Sequence, residues 1–269
     1  MKGMLTPRAS RRRTMRSTAT AAAVTTAVVA LGAGCSADSL FTDVKSASRS
    51  YNVGNDDQRI RTLDVRSYAG DITVKAAEPD RRTVGVAEDM EYEKTKPHTE
   101  HQVKDGVLRL TSDDCGGNGD KCTVHYTVTV PAALTARLRT GGGDVTVRDL
   151  SGPVDARTEG GDVVARTTSG RLHARTDGGN VRLTDVRSRD VDAESGGGNL
   201  RGTFAAAPDR ARLASGGGNV TVRLPRGTYA VDARTDGGTR DVSVPTDREA
   251  PHRVTAQTGG GNVTVTGRD

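Results

Sequence analysis

Apolar and polar residues alternate along most of the chain with a period of two, which is typical of strands and not of helices. The alternation is most regular around a series of Gly-rich phrases, the first of which is TGGGDV at Thr140. The first and third residues after the Asp of that phrase are Val145 and Val147, and the second and fourth residues before its Thr are Leu138 and Ala136. Each repeat is therefore predicted to be two short strands joined at a Gly-rich corner, with one apolar face and one polar face.

The phrase occurs seven times at nearly constant spacing, which indicates a stacked repeat architecture. A two-stranded unit cannot bury its apolar face alone, but units stacked in register cover one another. The predicted fold is all-β: a parallel β-solenoid (β-helix) of about seven short rungs, with an N-terminal antiparallel or mixed β region that caps one end. The phrases are spaced 18, 18, 19, 20, 20 and 23 residues apart and begin at Thr140, Thr158, Thr176, Ser195, Ser215, Thr235 and Thr258.

Stacking places the Gly-rich corners in a column, and we interpret them as structural. Gly adopts positive φ without cost and Asp or Asn tolerates the left-handed region, so both residue types are expected at a tight corner. The phrase TDGGTR at Thr235 departs from the others because the apolar residues after it are Val242 and Val244, and a β-bulge is expected there. The predicted structural corner residues are Gly142, Gly143, Asp144, Gly160, Gly161, Asp162, Gly178, Gly179, Asn180, Gly197, Gly198, Asn199, Gly217, Gly218, Asn219, Gly260, Gly261 and Asn262.

The first 34 residues have the pattern of an export signal, with six basic residues, no acidic one and an apolar segment before GAGC. That segment is shorter than the roughly 20 residues of a membrane-spanning helix. The sequence LGAGCS is similar to a bacterial lipoprotein cleavage site with Cys35 as the lipidated residue, although Gly32 stands where an aliphatic residue is usual. Plain secretion is the alternative. The predicted organisation is a signal peptide over 1–34, a tether over 35–48, an N-terminal β region over 49–130 and solenoid repeats over 131–269.

Two further cysteines, Cys115 and Cys122, bracket the sequence GGNGDK. They are predicted to form a disulfide that closes a short hairpin loop in an oxidising compartment. A zinc site is the other interpretation, and it is weak because no second pair of Cys or His lies nearby in the sequence. The chain has 33 Gly, two Phe and no Trp, so a narrow core filled by small side chains is expected.

The net charge of +5 belongs to the leader, because 39 − 6 leaves 33 basic residues against 34 acidic ones in the rest of the chain. No nucleic-acid partner is therefore predicted. Calcium is a functional alternative for the corners, with Asp144 and Asp162 as its candidate ligands. One Asp per 18 or more residues, and neutral Asn at most corners, instead favour a hydrogen-bonded ladder that needs no ion. We predict no metal and no cofactor.

An enzymatic interpretation rests on outward-facing carboxylates, because most glycoside hydrolases use a carboxylate pair. Asp155, Asp192 and Asp232 are expected in one strand column, with His173 between the first two. The repeats offer only two aromatic residues for stacking on a sugar ring. Alternating charges on a solvated sheet are favoured instead, and the acidic run EDMEYE (88–93) is likewise interpreted as a solvated strand face. The neutralising arginines would be Arg157, Arg175 and Arg234, and the two aromatic residues are Phe204 and Tyr229.

The tandem TGGGDVTV and TGGGNVTV units behind a lipoprotein-like leader resemble a bacterial β-strand-repeat family of unknown function, related to the head domains of candidate adhesins. The resemblance covers about residues 49–267. It implies a β-solenoid outside the cell and carries over no catalytic residue. We predict an exported, lipid-anchored, non-enzymatic protein of adhesin-like or structural type on the outer face of the cell membrane, with an envelope polymer or protein as its partner. The alternatives are a polysaccharide-acting β-helix enzyme and an extracytoplasmic sensor that assembles through the rung at Thr258.

Overall fold

The computed structural model describes residues 44–54, 59–115 and 121–268, and their regular secondary structure consists of strands alone. This is the outcome that the period-two alternation predicts. The strands are β1 Lys45–Val53, β2 Thr62–Ser67, β3 Ile72–Ala76, β4 Val84–Tyr92, β5 Thr99–Lys104, β6 Val107–Ser112, β7 Cys122–Val130, β8 Thr135–Thr140, β9 Val145–Arg148, β10 Val154–Thr158, β11 Val163–Arg166, β12 Leu172–Thr176, β13 Val181–Val186, β14 Asp190–Ser195, β15 Leu200–Phe204, β16 Arg210–Ser215, β17 Val220–Leu224, β18 Ala230–Thr235, β19 Arg240–Val242, β20 Arg253–Thr258 and β21 Val263–Gly267.

The strands form two sheets whose inner faces share one core. Sheet 1 has 11 strands in the order β1-β4-β7-β3-β9-β11-β13-β15-β17-β21-β19, and sheet 2 has 10 strands in the order β18-β20-β16-β14-β12-β10-β8-β2-β6-β5. We call one strand of each sheet, joined at a Gly-rich corner, a rung. Strands of successive rungs pair in parallel, as β8 does with β10 and β9 with β11. The predicted parallel β-solenoid is confirmed.

The strand register places each inward residue against the equivalent residue of the next rung. Val163 lies opposite Val145 on one side and Val181 on the other, and all three are fully buried. The core is thin because small side chains of Val, Ala and Leu from the two sheets fill most of it. The fully buried aromatic side chains among the described residues are those of Tyr126, Phe204 and Tyr229.

The N-terminal region adds two rungs to the seven of the repeats. β2 and β3 pair in parallel with β8 and β9, and β6 and β7 pair in parallel with β2 and β3. Antiparallel strands then close this end, since β4 pairs with β7, β1 with β4 and β5 with β6. The mixed capping region predicted from the sequence is therefore present, and it is continuous with the stack.

The opposite end of the stack does not follow the order of the chain. β20 pairs with both β16 and β18, and β21 pairs with both β17 and β19. The rung at Thr258 is thus interior, and the end rung is the one that carries the departing phrase TDGGTR at Thr235. The hypothesis of assembly through an open rung at Thr258 loses its structural basis.

The β-bulge expected at Val242 and Val244 is wrong. β19 pairs with β21 without a register shift, and Arg240 lies opposite Val263. The phrase departs from the others because Arg replaces Val at an inward position. Arg240 is exposed there, since the end rung has a neighbour on one side only. A register shift occurs instead in β13, where it pairs with β15.

The predicted signal peptide and the predicted lipidation site Cys35 lie outside the described residues. Within the described ranges, no helix has the length and apolar character needed to cross a membrane.

Candidate functional site

A column of Ser and Thr hydroxyls holds the Gly-rich corners together. The Thr158 hydroxyl donates a hydrogen bond of 2.7 Å to the Gly143 carbonyl of the preceding rung, and it accepts the N–H of Gly161 in its own corner at 3.2 Å. Without the hydroxyl, a carbonyl and an N–H at the corner would both lose this partner. The period-two alternation does not predict these hydrogen bonds of the Ser and Thr hydroxyls. The same pair of bonds is made by Thr140, Thr158, Thr176, Ser195, Ser215, Thr235 and Thr258.

The last Gly of each phrase is required by the close approach of the neighbouring rung. A Cβ on Gly143 would lie 2.2 Å from the Gly70 carbonyl oxygen, whereas a Cβ on Gly142 would have no atom within 4 Å. The positive φ expected at the predicted corners is wrong, and packing is the reason for Gly there. The described glycines with positive φ are Gly54, Gly70 and Gly106, and the other residues with positive φ are Asp105, Asp149, Thr167 and Asp185.

The residue after the last Gly of each phrase forms a hydrogen-bonded ladder along the stack. It is Asp or Asn in every phrase except TDGGTR, where it is Thr239. Asp144 Oδ1 accepts the Asp162 N–H at 2.7 Å, and Asp162 Oδ1 accepts the Asn180 N–H at 2.7 Å. The ladder expected between side chains thus runs mainly from side chain to main chain. One oxygen of Asp144 and of Asp162 is already engaged, and the described residues include no group of three or more His, Cys, Asp or Glu side chains arranged to hold a metal ion. The ladder continues through Asn199, Asn219, Asn262 and Thr239.

Many of the charged side chains on the outer face of sheet 2 form ion pairs with one another. Arg157 contacts Asp155 at 2.8 Å, and Arg212 contacts both Asp192 and Glu194. The hydrogen bond from Arg212 lowers the pKa of the Glu194 carboxyl below its usual value. A general acid needs a raised pKa instead. The Glu194 carboxylate is therefore arranged for ion pairing with Arg212.

The carboxylate column considered for polysaccharide cleavage is interrupted. His173 lies between Asp155 and Asp192 in the register, as expected. Asp232 is separated from them because β20 lies between β16 and β18, and it lies opposite Thr255. Of the arginines expected to neutralise the column, Arg157 and Arg234 contact the aspartates of their own strands, and Arg175 contacts Glu194 and Asp177.

The two aromatic side chains considered for stacking on a sugar ring are fully buried. Phe204 and Tyr229 both have an exposure of 0%. A sugar ring at the outer face of either sheet therefore cannot stack on them, which removes the aromatic platform that the enzymatic interpretation requires.

The outer face of sheet 1 differs in charge from that of sheet 2. From β3 to β17 it presents six exposed basic side chains, and none of them makes an ion pair or a hydrogen bond with another described residue. Asp185, at the end of β13, is already paired with Arg268 at 2.9 Å. The alternation places these basic residues on the outward side of their strands. The net charge of the chain adds the two faces together, so it does not show the difference between them. The six basic residues are Lys75, Arg148, Arg166, Arg182, Arg201 and Arg223.

The predicted disulfide between Cys115 and Cys122 is formed. It closes the corner between β6 and β7, which lie in different sheets. The loop is therefore an enlarged rung corner and not the hairpin that the sequence suggested. A groove of about 550 Å³ lies beside it, lined by Val44, Tyr68 and Tyr92 among others.

Glu88 is fully buried beside this end of the stack, so the interpretation of EDMEYE as a solvated strand face is wrong for this residue. Its carboxylate accepts hydrogen bonds from Tyr51 at 2.5 Å, Arg49 at 2.8 Å and Thr99 at 2.9 Å. Burial, then the hydrogen bond to Glu88, raises the pKa of Tyr51, and burial together with the Glu88 charge raises the pKa of Tyr126. The cluster joins β1, β4 and β5 and is structural in character.

Several solved structures are similar in fold to this chain, all at low sequence identity. A candidate cell adhesion protein of Clostridium sporogenes ATCC 15579 is 13% identical, with 83% of this chain and 100% of that chain covered and a TM-score of 0.36. A candidate adhesin of Bacteroides fragilis NCTC 9343 is 16% identical, with 83% and 97% covered and a TM-score of 0.48. A candidate lipid binding protein of Parabacteroides distasonis ATCC 8503 is 11% identical, with 82% and 97% covered and a TM-score of 0.38.

None of the curated proteins matches the sequence. The family model named Toastrack DUF4097 matches residues 36–266, which include every described strand except the last residue of β21, Gly267. This confirms the resemblance to a β-strand-repeat family that the tandem Gly-rich phrases indicate. The chain belongs to the Toastrack DUF4097 family.

Proposed function

We propose that the protein is an exported, lipid-anchored, non-enzymatic surface protein of adhesin-like type, which uses a flat outer face of its solenoid to bind another macromolecule of the cell envelope. The observation that carries the proposal is the arrangement of the outer faces. The sheet-2 carboxylates considered for catalysis are paired with arginines, and the outward side chains of both sheets lie in regular columns. Such columns are suited to repeated contacts with an extended partner.

The leader supports the location. Six basic residues, an apolar segment and LGAGCS precede the solenoid, in the order expected for a lipoprotein signal. The disulfide supports an oxidising compartment, in which such bonds persist. A tether of nine residues between Cys35 and β1 would hold the solenoid close to the membrane surface.

The location is tested by intact mass and membrane fractionation of the full chain beside Cys35→Ala. The proposal expects a lipid-sized mass increment and membrane retention, both lost in the variant. A soluble, unmodified chain from the wild-type gene would contradict anchoring.

Binding is tested by co-sedimentation of the purified chain with isolated cell envelopes. Retention above that of an unrelated protein of equal size is expected, and its absence would contradict the proposed function. Release of reducing ends from envelope polysaccharide, abolished by Asp192→Ala, would instead show the protein to be an enzyme.

A further inference from the structure

We propose that the outer face of sheet 1, from β3 to β17, binds a linear, phosphate-bearing polyanion of the cell envelope. The inference rests on the proposed function, since it names the chemical class of the envelope partner. We call this surface the basic face. It comprises the outward positions of β3, β9, β11, β13, β15 and β17, with their basic residues Lys75, Arg148, Arg166, Arg182, Arg201 and Arg223.

Like charges are brought together on the basic face. Arg182 lies directly opposite Arg201, and Arg148 lies between Lys75 and Arg166 in the sheet register. Neighbouring strands are about 4.8 Å apart, and like charges at that distance destabilise a sheet. Because none of these side chains has an acidic partner in the described residues, their repulsion has no internal compensation. An anionic ligand would provide it.

The basic face differs from the outer face of sheet 2 in the pairing of its charges. The two sheets belong to the same rungs and have the same strand spacing, yet one arginine on each of β10, β12, β16 and β18 of sheet 2 contacts a carboxylate, as Arg157 does with Asp155. The other described arginines of sheet 2 strands without such a contact are Arg137, Arg210 and Arg253. Among β9, β11, β13, β15 and β17 the one acidic residue is Asp185, at the end of β13, and it is paired with Arg268. The difference between the faces is therefore in the choice of side chains and not in the fold.

Hydrogen-bond donors of the Asn ladder extend the basic face. A shallow groove of about 610 Å³ runs along it, lined by Arg182 and Arg201 and by Asn side chains of neighbouring rungs. Asn219 Oδ1 accepts the Asn262 N–H at 2.7 Å, which fixes the side-chain amide and leaves its NH₂ group as a donor. The groove thus offers guanidinium and amide donors together, a combination suited to phosphate oxygens.

The size and composition of the basic face favour a polymer that is read through its backbone. Six strands separated by about 4.8 Å span roughly 24 Å, which is several phosphates long. Apart from Asp185, the outward positions from β9 to β17 hold Arg, Thr and Val, and none of them is aromatic, so neither bases nor sugar rings can stack there. A phosphodiester chain without obligatory ring contacts fits these features.

The test compares two triple variants of the full chain that remove equal charge. Arg182→Gln/Arg201→Gln/Arg223→Gln alters the basic face, and Arg157→Gln/Arg175→Gln/Arg234→Gln alters sheet 2. The probe is fluorescein-labelled poly(glycerol phosphate) of about 20 units, titrated at 50 and 200 mM salt. We expect the basic-face variant to bind on the order of tenfold more weakly, with a shallower salt dependence, because fewer counterions are released. The sheet-2 variant should bind within about twofold of wild type.

Equal losses in the two variants would show that only net charge matters and would overturn the inference. So would the absence of wild-type binding to the probe. Binding to phosphatidylglycerol vesicles without binding to the polymer would assign the face to the membrane and also overturn it. Binding of single-stranded DNA of equal charge at similar strength would support recognition of the phosphodiester backbone.

The same variants separate this inference from the proposed function. If the basic-face variant co-sediments with envelopes as wild type does, the inference fails and the proposed function stands. If wild type itself does not co-sediment, the proposed function fails whatever the polymer titration shows.

Discussion

The hydroxyl of Thr176 donates a hydrogen bond of 2.7 Å to the carbonyl oxygen of Gly161, one rung earlier in the stack. The same hydroxyl accepts the N–H of Gly179 at 3.0 Å. One buried side chain therefore joins two rungs and closes its own corner, and the contact recurs along the solenoid. The repeat phrase is best understood as the sequence requirement of this joint together with the Asp/Asn ladder beside it.

Replacing Thr176 by Val should destabilise the protein by about 1–3 kcal/mol, because a buried carbonyl and a buried N–H both lose their partner. Thr176→Ser keeps the hydroxyl, as the natural Ser195 and Ser215 do, and should be much milder. Thermal and urea unfolding followed by circular dichroism would measure both. Equal stability of the Val and Ser variants would show that the hydroxyl contributes nothing.

The glycines of a single corner should differ in their tolerance of a methyl group. Gly143→Ala would place Cβ 2.2 Å from the Gly70 carbonyl oxygen and should cost about 1–3 kcal/mol or more, since the backbone must shift. Gly142→Ala meets no atom within 4 Å and should change stability by less than about 0.5 kcal/mol. Unfolding midpoints of the two variants, measured side by side, test the difference. The reverse order would contradict the packing explanation.

The end rung should depend on its charges for solubility. Arg240 and Asp241 occupy the edge strand β19, where the neighbouring β21 carries Val263 and Thr264. Charged residues on an edge strand oppose pairing with a second molecule. Arg240→Val/Asp241→Thr should therefore raise the average mass in light scattering as concentration increases, whereas Arg240→Lys/Asp241→Glu should not. An unchanged mass for the first variant would assign the protection to another feature.

Alkaline pH should destabilise the fold through Tyr126. Burial and the Glu88 charge raise the pKa of Tyr126, so the folded state resists its ionisation. Its contribution is complete below the unfolded tyrosine pKa of about 10 and is lost as the pH rises toward the higher folded value, at up to about 1.4 kcal/mol per pH unit. Tyr126→Phe should flatten this decline in urea unfolding between pH 9.5 and 11.5.

A second tyrosine variant provides the comparison at neutral pH. The Tyr126 hydroxyl is buried without a hydrogen-bond partner among the described residues, whereas the Tyr51 hydroxyl donates to Glu88 at 2.5 Å. Tyr51→Phe should therefore be destabilising at pH 7, and Tyr126→Phe should be close to neutral. A steep alkaline decline that persists in Tyr126→Phe would contradict this assignment.

Sequence periodicity was sufficient for the repeated part of the fold, because alternation and a constant spacing specify which residues face inward. It was insufficient where stacking order decides the structure. In the sequence, β18 and β19 form the sixth repeat. Only the pairing of Val254 with both Ala211 and Val231 shows that the seventh rung lies between the fifth and the sixth. The repeat pattern of a single sequence does not specify the order in which the rungs stack.

The basic face could not be predicted from the sequence, for a related reason. Arg182 and Arg201 are one rung apart and face outward by simple alternation, but alternation does not say which charges share a sheet. On sheet 2 Arg157 and Arg175 contact carboxylates, and on sheet 1 Arg182 and Arg201 do not. Burial of Glu88 was unpredictable for a different reason, since its partner Arg49 lies 39 residues away in the sequence and its partner Thr99 belongs to a strand of the other sheet.

The insertion of β20 and β21 between the fifth repeat's strands and those of the sixth constrains the route by which the chain folds. β18 and β19 precede β20 and β21 in the chain, yet among the described strands their hydrogen-bonding partners are the later ones. The sixth repeat therefore has no template until the seventh has docked on β16 and β17. Growth of the stack, which can propagate in chain order through the first five repeats, must pause here and finish out of sequence.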